Sequence, residues 1–405
     1  MTRDPIRLAY LVTHPIQYQA PLLKRIAAEP GIELTVFFRS DWSVAGFEDP
    51  GFGRRIEWDV PLLDGYAHQF LPAWGDARRI TPFWRPFSRG LARRLRAARA
   101  EVLWVHGYAR FFHWVALAEA RALGLKLLLR DEATPISAPR SPAKLAAKRA
   151  FFLGLRQLVD GYLAIGSLNR AYYRSQGVPA ERLFDMPYAV DNDRFAAAAA
   201  RAAPGREQRR AGLGLAPGRP VLLFAGKLTP IKAPEVALGA LARLKAAAPA
   251  GRAPYLLLAG DGPLRAALES EAAARGLADD LRFLGFVNQR ELPDYYDLCD
   301  VFLLPSRREP WGLVVNEAMN AGRAIVASDQ VGSAPDLVRP GVNGAIVPAG
   351  DEAALAAALG DIVADPERCR AMGEASCRII AGWGFEQDVA GLRQALAALL
   401  PARAG

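Results

Sequence analysis

The sequence predicts an α/β protein built as two doubly wound parallel-sheet domains facing a cleft. Its 405 residues suit two hydrophobic cores better than one. Short apolar runs alternate with helix-period segments along the whole chain, the pattern of parallel sheets with crossover helices. Runs such as Pro220-Val-Leu-Leu-Phe-Ala-Gly226 are apolar throughout, as strands covered on both faces must be.

In the first half, strands are expected at Ile6–Val12, Glu33–Phe38, Val102–His106, Lys126–Arg130 and Gly161–Ile165. Helices are expected at Pro21–Ala28, Ser88–Ala98, Phe112–Leu123, Pro142–Leu158 and Ser167–Gln176. The stretch Ala197–Gly218 mixes alanine, arginine, glycine and proline and reads as an exposed connection. This sets an N-terminal domain over 1–196, a linker over 197–217 and a C-terminal domain over 218–383. The second half continues with Val221–Ala225, Pro234–Ala247, Tyr255–Ala259, Pro263–Arg275, Leu281–Phe283, Val301–Leu304, Val314–Ala321, Ala324–Ala327 and a helical tail.

The net charge of +9 is uneven. Residues 1–200 carry 28 Lys/Arg against 19 Asp/Glu, and the remainder carry 23 of each. The densest stretch, Arg78–Arg99, holds eight arginines and no acid, with Trp84, Phe87, Leu91 and Leu95 at helical spacing. That describes a basic amphipathic helix able to rest on an anionic membrane, or one whose apolar stripe packs on a sheet. Lys144–Arg156, with Phe151 and Phe152, repeats the basic-aromatic pattern. No nucleic-acid-binding module accompanies the charge. No run reaches the roughly 18 apolar residues of a spanning helix, and Met1-Thr-Arg-Asp-Pro does not read as a leader. Cys299, Cys369 and Cys377 are odd in number and lack metal-ligand spacing, as in reduced cytoplasmic proteins.

The chemistry concentrates near Ser306-Arg-Arg-Glu309-Pro-Trp-Gly-Leu-Val-Val-Asn-Glu317. A strand runs into a loop bearing Glu309, and Trp311-Gly312-Leu313 opens a helix that carries Glu317. Backbone N–H groups and the positive helix end would meet phosphate oxygens, while carboxylates would meet sugar hydroxyls. Upstream, the strand ending in Gly226 leads to Lys227 and Lys232 at the sheet rim, where open α/β sheets bind ligands. Two cations there would neutralise a diphosphate leaving group.

These motifs resemble the retaining glycosyltransferases of family 4, which have the GT-B fold. The resemblance is carried by Gly226-Lys227-Leu228, Lys232, Gly260-Asp-Gly262-Pro263, Gly285-Phe286-Val287 and Glu309 to Glu317, in order and spacing over about residues 218–350. It implies transfer of a hexose-type sugar from a nucleoside diphosphate-sugar, with UDP favoured, to a carbohydrate or lipid-linked acceptor of surface polysaccharide or glycolipid synthesis. By the same resemblance Lys227 and Lys232, with the N–H groups near Gly312 and Leu313, hold the diphosphate. Gly226, Gly260, Gly262 and Trp311 shape the donor loops, and Phe286 and Val287 lie at the base. Glu317 binds the ribose, Glu309 orients the sugar, and the last helix, 384–400, rejoins the N-terminal domain. Retention is described in the family as front-face attack, with the leaving phosphate taking the acceptor proton.

His106 ends a strand at the point where the family commonly has a histidine facing the donor sugar, and it joins Glu309 and Lys232 as a catalytic candidate. The loop after the first strand, Thr13-His14-Pro15-Ile-Gln17-Tyr18, departs from the family by lacking glycine. His14, Gln17 and Tyr18 are therefore candidates for contacts that backbone makes elsewhere, with Arg130 and Glu132 after a later strand as further cleft candidates. Asp191-Asn-Asp193 fits an Asx turn better than a metal site, so no metal or other cofactor is expected. The absence of Gly-x-Gly-x-x-Gly after any strand argues against a dehydrogenase. A GT-B-fold nucleotide-sugar epimerase and a non-catalytic nucleotide-sugar-binding subunit remain the alternatives. A cytoplasmic site of action is expected, with peripheral membrane contact through Arg78–Arg99.

Overall fold

The computed structural model describes residues 4–49, 51–74, 83–84, 87–136, 141–249 and 251–401. The chain divides into two compact units. One comprises Met1–Phe47, Val60–Tyr188 and Phe385–Gly405, and the other Glu48–Asp59 and Ala189–Gly384.

The first unit is built on a seven-stranded sheet, parallel throughout. Its order is Leu183–Asp185, Gly161–Ala164, Lys126–Arg130, Val102–His106, Ile6–Val12, Ile32–Phe38, Ala67–Phe70. The first strand is flanked by Val102–His106 and Ile32–Phe38, so the direction of winding reverses between Ile6–Val12 and Val102–His106. Loops diverge at such a switch point and leave room for a ligand. The helix Phe385–Leu399 closes one face, burying Val389, Leu392, Ala395 and Leu396 against Leu163 and Met186. It crosses so near the strand Leu183–Asp185 that a Cβ on Gly391 would lie 1.7 Å from Asp185 O. Only glycine permits that crossing.

The second unit has a six-stranded sheet in the order Leu281–Gly285, Tyr255–Ala259, Val221–Ala225, Val301–Leu304, Ala324–Ser328, Gly344–Val347. The four inner strands are buried on both faces, which is why their sequences are largely apolar without alternation. The switch point lies between Val221–Ala225 and Val301–Leu304.

Several expectations need correction. The proposed linker is helical: Asn192–Ala202 and Arg206–Gly212 are helices joined by a 3₁₀ turn. Phe195, Ala199 and Ala202 bury one face of the first, which packs on the helix Leu292–Leu298. Alanine is the best helix former, and its abundance signalled helix rather than linker. The helix expected at Ser88–Ala98 is shorter, Leu91–Ala97, with Phe87–Ser88 paired to Ala73–Trp74. Its apolar residues Leu91 and Leu95 belong to the sheet core, not to a membrane-facing stripe. Residues 78–82 and 85–86 of the basic segment lie outside the described residues. The strands Ala67–Phe70, Leu183–Asp185 and Gly344–Val347 escaped sequence reading because they are short and partly exposed.

Candidate functional site

The loops at the carboxyl ends of the second sheet are laced together by their glycines. Gly226 and Gly262 take φ of +154° and +155°, and a Cβ on Gly260 would lie 1.8 Å from Gly226 O. Leu228 donates its N–H to Asp261 O at 2.9 Å, and Leu264 donates to Leu228 O at 3.1 Å. The backbone after Val221–Ala225 is thereby held against that after Tyr255–Ala259, which places Lys227 and Lys232 at the switch point.

Lys232 forms an ion pair with Glu309. Glu309 is buried, and its backbone is fixed by a bond to Gln330 O at 3.0 Å and one from Gly332 N at 2.9 Å. Gly312 follows at φ +90°, where a Cβ would press on Leu304, Glu309 and Val331. This left-handed residue starts the helix Leu313–Asn320 and brings no side-chain cap. Val315 donates its N–H to Gly312 O at 2.9 Å, and no side chain of the N-cap residue caps the N–H groups of Leu313 and Val314 ahead of it. Trp311 is buried, bonded through Nε1 to Asn316 at 3.0 Å and stacked on Trp383 at 5.6 Å, which anchors the helix start.

Glu317 sits one turn in from the opposite end of that helix and is buried. Tyr296 donates a 2.6 Å hydrogen bond to its Oε2. Burial pushes the Glu317 carboxyl up to about 7, against the opposing effects of the Tyr296 bond, the Arg194 charge and a Gln289 bond. Phe286 follows Gly285 (φ +71°) and carries Phe52 edge-on at 5.0 Å, with Trp58 at 6.4 Å. Val287 is half-buried beside it.

Sequence reading did not anticipate the segment Glu48–Asp59, which belongs to this unit. Asp49 accepts from Lys227 Nζ with both carboxylate oxygens at 2.9 Å. Lys227 is therefore neutralised by a carboxylate in the place where an anionic ligand was expected. Asn288 reaches Glu57 O at 2.7 Å, and Arg290 N reaches Asp59 at 3.0 Å, tying the segment to the loop after Gly285. No spacing signal joins residues so far apart in the chain.

The first unit gathers its own polar group at its switch point. Tyr188 donates to Glu132 at 2.6 Å, Tyr18 reaches Glu132 at 3.4 Å, and Tyr188 OH lies 3.2 Å from His106 Nε2. Gln19 adds a 3.4 Å contact to the imidazole and accepts from Tyr10 at 2.8 Å. Burial, with the Arg130 charge, lowers the His106 pKa to about 3, so the ring is neutral at physiological pH. Gln19 and Tyr188 were missed; only their neighbours carried a motif.

Other candidates separate from this group. His14 bonds Thr13 at 2.8 Å and meets Trp42 edge-on at 5.0 Å, and Gln17 is half-buried in the turn beyond it. Arg130 is corrected: it is fully buried, pairs with Asp388 at 3.1 Å and donates to Met186 O and Pro187 O at 2.8 and 3.0 Å. Its Nη2 is committed to Asp388 and to the backbone after Leu183–Asp185. Asp191 caps the helix Asn192–Ala202 through a 2.9 Å bond from Arg194 N.

Residues 205–378 match the family model described as Glycosyl transferases group 1. This stretch is similar to the group 1 glycosyltransferases. The group 1 stretch contains every donor-site candidate named above, from Gly226 to Glu317. Among similar proteins, the D-inositol 3-phosphate glycosyltransferase of Streptomyces scabiei is 36% identical over 207 residues, 50% of this chain and 45% of that one. That of Nocardia farcinica is 36% identical over 233 residues, 55% of this chain and 51% of that one. The chain thus spans about half the length of the curated relatives it matches. Similar solved structures include sucrose-phosphate synthase from Thermosynechococcus elongatus (TM-score 0.70, 21% identity, 98% of this chain and all of that one). Others are a glycosyltransferase from Rickettsia africae (TM-score 0.74, 12% identity, 98% and 99%) and HepE of Anabaena with UDP and glucose (TM-score 0.69, 18% identity, 98% and 100%). The group 1 stretch therefore sits within a GT-B fold of two Rossmann-like domains.

Proposed function

We propose that the protein is a retaining glycosyltransferase that moves a hexose-type sugar from a UDP-sugar to a carbohydrate or lipid-linked acceptor in cell-surface polysaccharide or glycolipid assembly. The observation that carries this reading is the Lys232–Glu309 pair beside the uncapped start of the helix that bears Glu317. A diphosphate placed on that helix start takes its N–H groups, with Lys232 and Lys227 neutralising the charge that grows as the sugar–phosphate bond breaks. Glu309 accepts from sugar hydroxyls and Glu317, once ionised, from the ribose. The electron pair of the broken bond stays on the phosphate oxygen, which takes the proton released by the acceptor hydroxyl. Cationic side chains supply the leaving-group stabilisation, so the reading is metal-independent. The neutral His106 imidazole, set by Tyr188 and Gln19, suits a hydrogen bond to a sugar hydroxyl.

UDP is favoured because HepE of Anabaena is named in complex with UDP-glucose and a trehalose-phosphate synthase from Burkholderia vietnamiensis is named UDP-forming. The D-inositol 3-phosphate glycosyltransferases point to a phosphorylated polyol as one acceptor to test. Peripheral membrane contact is proposed for the first unit. Trp84 is 65% exposed and meets Phe111 at a tilt, Trp114 meets Phe151, and Leu145 and Leu153 stand exposed on the lysine-bearing helix Pro142–Leu158.

The test is thermal stabilisation by UDP, GDP and ADP, repeated on Glu317→Ala, followed by product analysis with the matching nucleotide-sugars. Selective stabilisation by UDP, lost in the variant, supports the reading. Equal indifference to all three nucleotides overturns it.

A further inference from the structure

A second concavity lies at the other edge of the group 1 sheet. Its volume is about 530 Å³, within the range of small-molecule sites, and it opens beneath the amino ends of three adjacent strands. Pro220, Asp300 and Arg323, each just ahead of a strand, line it together with the helix residues Arg206, Arg210 and Arg370. The donor candidates stand at the carboxyl ends of the same strands, so this cavity is separate from them.

Five arginines line the cavity against two acids, Glu207 and Asp300. Arg219 pairs with Asp280 and lies 3.8 Å over the Tyr255 ring. The other four have no carboxylate within ion-pair distance among the described residues. Three of them are held by backbone carbonyls instead. Arg206 donates to Cys299 O at 3.2 Å, and Arg210 donates through Nη2 to Ala216 O and Arg219 O at 2.9 and 2.7 Å. Arg323 donates to Ala321 O and Cys299 O at 2.7 and 2.6 Å. Asp300 is spent on the Val221 N–H at 2.8 Å.

Carbonyl dipoles orient a guanidinium without cancelling its charge. Arg210 is 7% exposed yet uses only one of its three nitrogens, and Arg323 keeps Nη2 uncommitted. The cavity thus concentrates like charges on fixed, planar donors, an arrangement that repels itself and suits phosphate oxygens. We propose that it is a binding site for a compact, multiply charged phosphate, distinct from the donor site. Its walls admit a small phosphorylated molecule rather than a nucleic acid backbone.

The experiment is calorimetric titration of the full chain with inorganic pyrophosphate at about 0.15 M salt, where weak surface attraction is screened. Two double variants separate the sites: Lys227→Ala with Lys232→Ala disables the donor loop, and Arg206→Ser with Arg370→Ser removes exposed or half-exposed cations of the cavity. One pyrophosphate is expected to bind the first variant, with affinity falling tenfold or more when the arginine changes are added. A single Arg370→Lys variant, retaining charge without the planar fork, is expected to lose less. Absence of binding in the lysine variant, or binding unchanged by the arginine changes, overturns the proposal.

Discussion

The Tyr296 hydroxyl donates a 2.6 Å hydrogen bond to Glu317 Oε2, and both side chains are buried. The carboxylate proposed to bind ribose hydroxyls is thus kept out of water, with a phenol as its partner and Arg194 as its nearby charge. Burial dominates and raises its pKa to about 7.

The sign of the resulting pH dependence is definite. Between about 4.5 and 7 the native carboxyl keeps a proton that the unfolded chain has lost, so this group's contribution to stability is full below 4.5 and is lost as pH rises through 7. Glu317→Gln removes that loss. Urea unfolding is expected to show the variant more stable than the parent by about 1–3 kcal/mol at pH 8 and nearly equal at pH 4. Nucleotide binding to the parent is expected to strengthen from pH 6 to 8, and the variant to lose that trend.

Lys232 and Glu309 are expected to behave as one unit. Lys232→Met leaves a buried carboxylate without its cation and is expected to cost about 1–3 kcal/mol of stability. Adding Glu309→Gln should recover most of that stability while transfer stays about 10²–10³-fold below the parent. Recovery of activity along with stability would show the pair to be structural.

Asp49 competes for Lys227. Asp49→Asn is expected to tighten UDP binding by about fivefold, the worth of roughly 1 kcal/mol from releasing a part-exposed ion pair. Calorimetry reads this directly, and weaker binding would mean that Asp49 supports the nucleotide site instead.

Arg130 and Asp388 form a fully buried pair across 258 residues of sequence. Arg130→Met leaves the carboxylate and the Met186 and Pro187 carbonyls without their donor, and is expected to cost about 3–5 kcal/mol in denaturant unfolding. A change below 1 kcal/mol would overturn this expectation.

Much of the fold was legible because strand and helix periodicities are local. Ile6–Val12, Val102–His106 and Lys126–Arg130 are bounded by residues that end a strand on their own, and the structure keeps those bounds. The helices over Asn192–Gly212 were read as linker because alanine-rich composition looks alike in both until a partner buries one face.

By itself, the sequence determined the two-sheet α/β class, the strand ends that carry Gly226 and Gly260, the helix start at Gly312, and the order in which Lys232, Glu309 and Glu317 arrive. These follow from backbone geometry and burial patterns that operate over a few residues. Only the tertiary structure decided that Asp49 neutralises Lys227, that Arg130 is spent on Asp388, that Tyr296 guards Glu317, and that arginines from separate elements surround one cavity. Charges interact according to distance in space and the water removed between them, and neither quantity exists until the chain has folded.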